Sequence, residues 1–170
     1  MSKIAIEYSK VQAIIESITN AQLKALVAAQ YASAARISEI LELKKSNITD
    51  RGEYLELQIP NRKNSKDTIK NAILLKTKEP WLFEPITFWI SITPNDKIFK
   101  WGNRRARELI LRATGYSSHY FRHSRATHLA QEFNFDAFDI KNALGHARLE
   151  TSAIYVHKKT QDRAFKMLNR

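Results

Sequence analysis

HYFRHSRATHL at residues 119–129, followed by LGHARLETSAIYVH at residues 144–157, is the stretch that decides how this chain is read. His119 and Arg122 lie three residues apart, so a helix starting at Ser118, with Ser118 as its N-cap, sets both side chains on one face near its positive N-terminus. Ala126 and Leu129 of the same helix face a core. His123 and His128 turn off the His119 face and are read as structural. Gly145 ends the next helix and presents His146 beyond it, and a tyrosine, Tyr155, follows. As chemistry, this set of histidines, arginine and tyrosine is able to break a phosphodiester without a metal.

Working outward, Val11, Ile14, Ile15 and Ile18 recur at helical spacing, Asn20 can cap a second helix running to about Gln30, and residues 35–43 continue as another apolar-faced helix. The period then changes. Residues 54–59 (YLELQI) alternate like a half-buried strand that Pro60 ends, a polar tip (NRKNSKD) follows, and residues 71–75 return as a partner. Ile48 starts a third short strand before the turn Asp50-Arg51-Gly52. Helical period resumes at 104–112, 118–132 and 136–144, with two short helices around Tyr155 and at 165–168. The expected fold is α+β, one mostly helical domain with a small antiparallel three-stranded sheet.

Lys and Arg number 28 against 17 Asp and Glu, a formal net charge of +11 over 170 residues, which is the footprint expected of a polyanion partner. No apolar run approaches bilayer length and the first residues, MSKIAIEYSK, lack a signal-peptide core, so an intracellular protein that does not enter a membrane is expected. With no cysteine, disulfides, thiolate metal sites and cysteine nucleophiles are excluded. The five histidines show no H-E-x-x-H or carboxylate-supported spacing, so no metal and no cofactor is expected.

RHS-x-ATHL, LGH and TS-x-x-Y-x-H, in this order, resemble the tyrosine recombinase (phage integrase) family, whose catalytic domain carries H-x-x-R, L-G-H and a nucleophilic tyrosine. The resemblance implies catalytic roles for His119, Arg122, His146 and Tyr155. It also points upstream to AARISEILEL at residues 34–43, similar to the family's R-x-S-E-[IL] segment, making Arg36 a second phosphate clamp and Glu39 its support through a charge-assisted pair. An ordinary surface ion pair is the plainer account of Glu39. The family's lysine sits on a β-hairpin tip. Here K-x-x-K between Pro60 and Leu74 offers Lys63, with Lys66 as the alternative, and a solvated connecting loop is the competing account.

The chemistry needs such a set because a phenol of pKa about 10 is ionised in about one molecule per thousand at neutral pH. Paired arginines match the nonbridging oxygens of a pentacoordinate phosphorus, His119 accepts the phenolic proton, His146 bonds a nonbridging oxygen and a lysine protonates the departing 5′ oxygen. The resemblance therefore implies DNA strand cleavage and rejoining through a 3′-phosphotyrosyl intermediate, with double-stranded DNA as partner. It also implies a tetramer on DNA joined through the C-terminal helix bearing Ala164, Phe165 and Leu168. Integration or excision of a mobile element is the setting this suggests. Asn134 stands where many members have glycine and can take the same left-handed cap. Residues 1–170 are read as the catalytic domain, without the family's N-terminal core-binding domain. A non-catalytic DNA-binding protein of the same fold and a relaxing, type IB-like topoisomerase are the alternatives.

Overall fold

The computed structural model describes residues 4–61 and 68–144. Their order is α1 (Tyr8–Ser17), α2 (Ala21–Ser33), α3 (Ile37–Ile40), β1 (Ile48–Asp50), β2 (Tyr54–Asn61), β3 (Thr68–Leu75), α4 (Pro80–Ile92), α5 (Asn103–Thr114), α6 (Ser118–Gln131) and α7 (Ala137–Leu144). This is the mostly helical α+β domain with a three-stranded sheet that the sequence predicts.

The centre of the fold is α2. Asn20 caps it, its Oδ1 accepting from the Leu23 N–H at 2.9 Å, and every residue from Ala25 to Ser33 is buried. Its alanines let neighbours approach closely: α4, α6 and β3 pack around it. A helix apolar on all sides is what a domain centre requires. The helix ends at Ala34, whose φ of 52° is left-handed, a conformation that costs a residue with a Cβ and that the surrounding structure must hold in place.

The sheet runs β1-β2-β3, antiparallel throughout, with Leu55, Leu57 and Ile59 opposite Leu74, Ala72 and Lys70. These six residues share the inward face and all are buried. Gly52 makes the β1–β2 turn at φ +87°, its N–H donating to Asp50 Oδ1 at 2.8 Å.

Several boundaries differ from the sequence reading. The helix expected over residues 35–43 is a single turn, because the left-handed Ala34 redirects the chain and leaves Arg36 as the N-cap of α3. Pro60 does not end its strand. β1 pairs only with residues 55–57, so beyond Leu57 one edge of β2 is open, where a residue lacking an N–H is tolerated. β3 correspondingly begins at Thr68 rather than residue 71. Ser117, not Ser118, is the N-cap of α6, while Asn134 adopts φ 61° as expected. α4 was not expected at all: it is apolar on most faces and carries Pro85 internally, so it lacks an amphipathic signature. No helix among the described residues is long and apolar enough to cross a membrane.

Candidate active site

Arg36 leaves the left-handed turn as the N-cap of α3, and Glu39 fixes it twice. Glu39 Oε2 accepts from the Arg36 backbone N–H at 2.9 Å and Oε1 from the guanidinium at 3.0 Å. Glu39 is 3% exposed while the Arg36 side chain remains 24% exposed, so a buried carboxylate aims a cation that still reaches solvent. With its carboxylate buried, the pair differs from an exposed surface ion pair.

Arg122 approaches the same place from α6 and is buried at 8% exposure. One of its terminal nitrogens donates to Ala34 O at 2.6 Å and the other to Leu144 O at 3.1 Å. The guanidinium therefore ties the turn just before Arg36 to the residue just before Gly145 and His146. Each carbonyl needs a donor there: Ala34 follows the last turn of α2, and Leu144 is the last residue of α7.

His119 is exposed, one turn ahead of Arg122, and lines a cleft of about 480 Å³ with Arg36, Arg107, Ser117 and Ser118. Arg36 and His119, separated by 83 positions, thus share one surface depression, and Arg122 bonds the carbonyl of Ala34, two residues before Arg36. Arg107 of α5 adds a further cation to this cleft that the sequence reading did not single out.

A buried network sets the position of α6. Arg125 pairs with Glu79 through two bonds, 2.6 and 2.9 Å, with both side chains at most 2% exposed. Tyr8 Oη donates to Glu79 Oε1 at 2.9 Å, and the Arg125 guanidinium lies over Tyr31 at 5.0 Å. Burial holds the Tyr8 phenol protonated, pushed up to about 12, with the charge of Glu79 adding to it. His128 is 4% exposed and its Nδ1 lies 2.7 Å from Tyr31 Oη. Burial pushes its imidazole down to about 4, Arg125 adding to it and a backbone contact with Ile6 working against it. His128 is therefore neutral and shares a hydrogen bond with the Tyr31 hydroxyl through its Nδ1, a structural role as expected.

The sequence reading missed Lys70. β-strand alternation places it on the inward face with Ala72 and Leu74, at 5% exposure, and burial holds its amine well below the ordinary lysine range. Arg122 and Arg36 push the same way, while Glu39 opposes them. The period-2 spacing Lys70, Ala72, Leu74 is visible in the sequence once the strand is started at Thr68. Of the other expected site residues, Lys63, Lys66, His146 and Tyr155 lie outside the described residues, as do the tail positions Ala164, Phe165 and Leu168.

The fold has close counterparts among solved structures. It superposes on the XerH site-specific recombinase bound to difH substrate in a pre-cleavage complex with a TM-score of 0.73 at 22% identity, covering 99% of this chain and 55% of that one. The catalytic domain of bacteriophage HP1 integrase matches with a TM-score of 0.65 at 20% identity, covering 91% of this chain and 88% of that domain. In sequence, the tyrosine recombinase XerD of Brucella suis biovar 1 is 26% identical over 178 aligned positions, 92% of this chain and 55% of the relative. The architecture is thus that of a tyrosine recombinase catalytic domain. With residues 5–162 matching the phage integrase family, the chain belongs to that family. It spans about half the length of the curated relatives it matches.

Proposed function

We propose that this protein cleaves and rejoins DNA strands through a tyrosine, by the chemistry of site-specific recombination. The observation that carries the reading is the Arg122 guanidinium, which draws the Arg36 turn and the α7 terminus leading to His146 onto one buried cation. Arg36 and His119 come from two separate stretches of sequence and line one cleft, while Arg122, one turn after His119 on α6, bonds the carbonyl two residues before Arg36, an economical arrangement for a phosphodiester and an odd one for unrelated surface charges.

In this reading Arg36 and Arg122 neutralise the nonbridging oxygens as charge develops at phosphorus. Tyr155 Oη forms a bond to phosphorus while the bond to the 5′ oxygen breaks. His119 takes the phenolic proton, and Lys63, or Lys66 in its place, supplies one to the leaving oxygen. His146 donates to a nonbridging oxygen. The 3′-phosphotyrosyl product conserves the phosphoester, so a 5′ hydroxyl from another strand reverses the step and reseals the DNA. No metal or nucleotide is consumed, and double-stranded DNA is the partner. Assembly into a tetramer on DNA through the C-terminal residues completes the proposal.

The test is incubation of the full chain with nicked duplexes of randomised flanking sequence in excess EDTA, followed by denaturing electrophoresis. The proposal requires an SDS-resistant protein–DNA adduct that EDTA does not suppress. Cleavage that depends strictly on Mg²⁺, or binding without any adduct, contradicts it, and the second result would leave a DNA-binding protein of this fold. The lysine is tested with a 5′-bridging phosphorothiolate, whose sulfur leaves without a proton. Lys63→Ala should cleave ordinary DNA poorly and recover on this substrate, whereas recovery of Lys66→Ala instead moves the role three residues along the hairpin.

A further inference from the structure

Lys70 is a buried amine that no step above uses. It stands opposite Ile59 on the inward face of the hairpin, 5% exposed, and its Nζ, with three N–H donors, makes no hydrogen bond among the described residues. In front of it lies a cavity of about 460 Å³ walled by Ser33, Asp139, Asn142 and Ala143 among others. Ser33 and Ala143 immediately precede Ala34 and Leu144, whose carbonyls hold Arg122. Lys70 therefore shares its cavity with the direct neighbours of both residues whose carbonyls hold the buried guanidinium. Among the described residues, the charged groups that bear on Lys70 are Arg122 of α6 and Arg36 and Glu39 of α3, Asp139 of α7 lines the same cavity, and β2 sets apolar Ile59 opposite it while α2 contributes Ala32 and Ser33.

We infer that Lys70 is a third cation of the phosphate-binding centre, uncharged in the free protein and taking up one proton from solvent when a tetrahedral oxyanion settles at Arg36 and Arg122. The inference rests on the phosphate-binding role proposed for those arginines. Three cations in one low-dielectric centre repel one another, and a lysine yields its proton far more readily than an arginine. Lowering the affinity of Lys70 for its proton relieves that repulsion, and this is the direction burial and the two guanidiniums impose. An oxyanion reverses the sign of the local field and favours the ammonium. By linkage, protonation and anion binding then strengthen each other by the same factor.

The test is NMR of the full chain with lysine labelled at 13Cε, titrated from about pH 6 to 11 so as to span neutral and charged lysine. It is run with and without sulfate, a tetrahedral oxyanion that does not itself titrate there, at ionic strength matched with chloride. Lys70→Met identifies the signal by its loss, and Lys70→Arg serves if the first variant fails to fold. One lysine should titrate below the others in chloride and shift upward in sulfate, so that sulfate binds about tenfold or more tightly below its titration than above it. In Arg36→Ala the sulfate response should vanish. A Lys70 signal that titrates with the other lysines in chloride overturns the inference. So does a midpoint that sulfate leaves in place, or a sulfate response that survives Arg36→Ala. None of these signals depends on cleavage. A responsive Lys70 in a protein that forms no covalent adduct removes the nucleolytic reading alone, and adduct formation with an unresponsive Lys70 removes this inference alone.

Discussion

Arg122 holds two backbone carbonyls 110 positions apart, Ala34 O and Leu144 O, and only a forked cation spans both. Arg122→Lys should therefore behave nearly as Arg122→Ala. Each should lower the rate of adduct formation on the order of a hundredfold or more, as should Arg36→Ala, the scale for losing one transition-state donor. Losses of only a few-fold in single-turnover cleavage would mean that these arginines anchor DNA without acting at phosphorus. His128 gives a second outcome at this scale. Its folded pKa of about 4 lies below the ordinary value near 6.5, so the unfolded chain takes up the proton first as pH falls. The stability that neutral His128 supports is complete above about pH 6.5 and declines by on the order of 3 kcal/mol on approaching pH 4. Urea unfolding of the wild type and of His128→Gln across that range checks this. The variant should be less stable at neutral pH and should lack this component of the acid slope.

At the scale of elements, α6 is the part whose placement matters most, and the Glu79–Arg125 pair links it to the start of α4. Glu79→Gln leaves a buried guanidinium without its counter-charge and should cost about 3–5 kcal/mol in chemical unfolding. A loss below about 1 kcal/mol, the scale of an exposed pair, would show that water reaches it. Much of this layout is legible in the sequence. Asn20, Gly52 and the 3.6-residue periods of α1, α5 and α7 each obey a local rule, and local rules are readable from neighbours. The failures arise where tertiary contacts decide. Nothing local marks Ala34 as left-handed: Arg122, 88 positions away, donates to its carbonyl, and that turn shortens α3 and makes Arg36 a cap. α4 is apolar on its exposed faces as well, at Phe88 and Ile92, so its sequence shows no clear period. Lys70 was passed over because a lysine next to a polar tip reads as solvated until the strand register turns it inward.

For the whole molecule, a formal net charge of +11 ties affinity to counterion release, so DNA binding should fall steeply as salt rises. A log–log plot of affinity against salt with negligible slope would assign the charge to another partner. The family motifs brought His119, Arg122, His146 and Tyr155 into view together, and the fold brings Arg36 and His119 to one cleft with Arg122 bonded to the turn that precedes Arg36. Tyr155 closes the proposed mechanism, so identifying the residue that carries the DNA is the most direct test. The covalent adduct, digested with nuclease and protease, should yield by mass spectrometry a single peptide bearing a 3′-nucleotide on Tyr155, and Tyr155→Phe should form no adduct while binding DNA about as well as the parent. A nucleotide on Tyr116 or Tyr120, or an adduct that persists in Tyr155→Phe, would contradict the account.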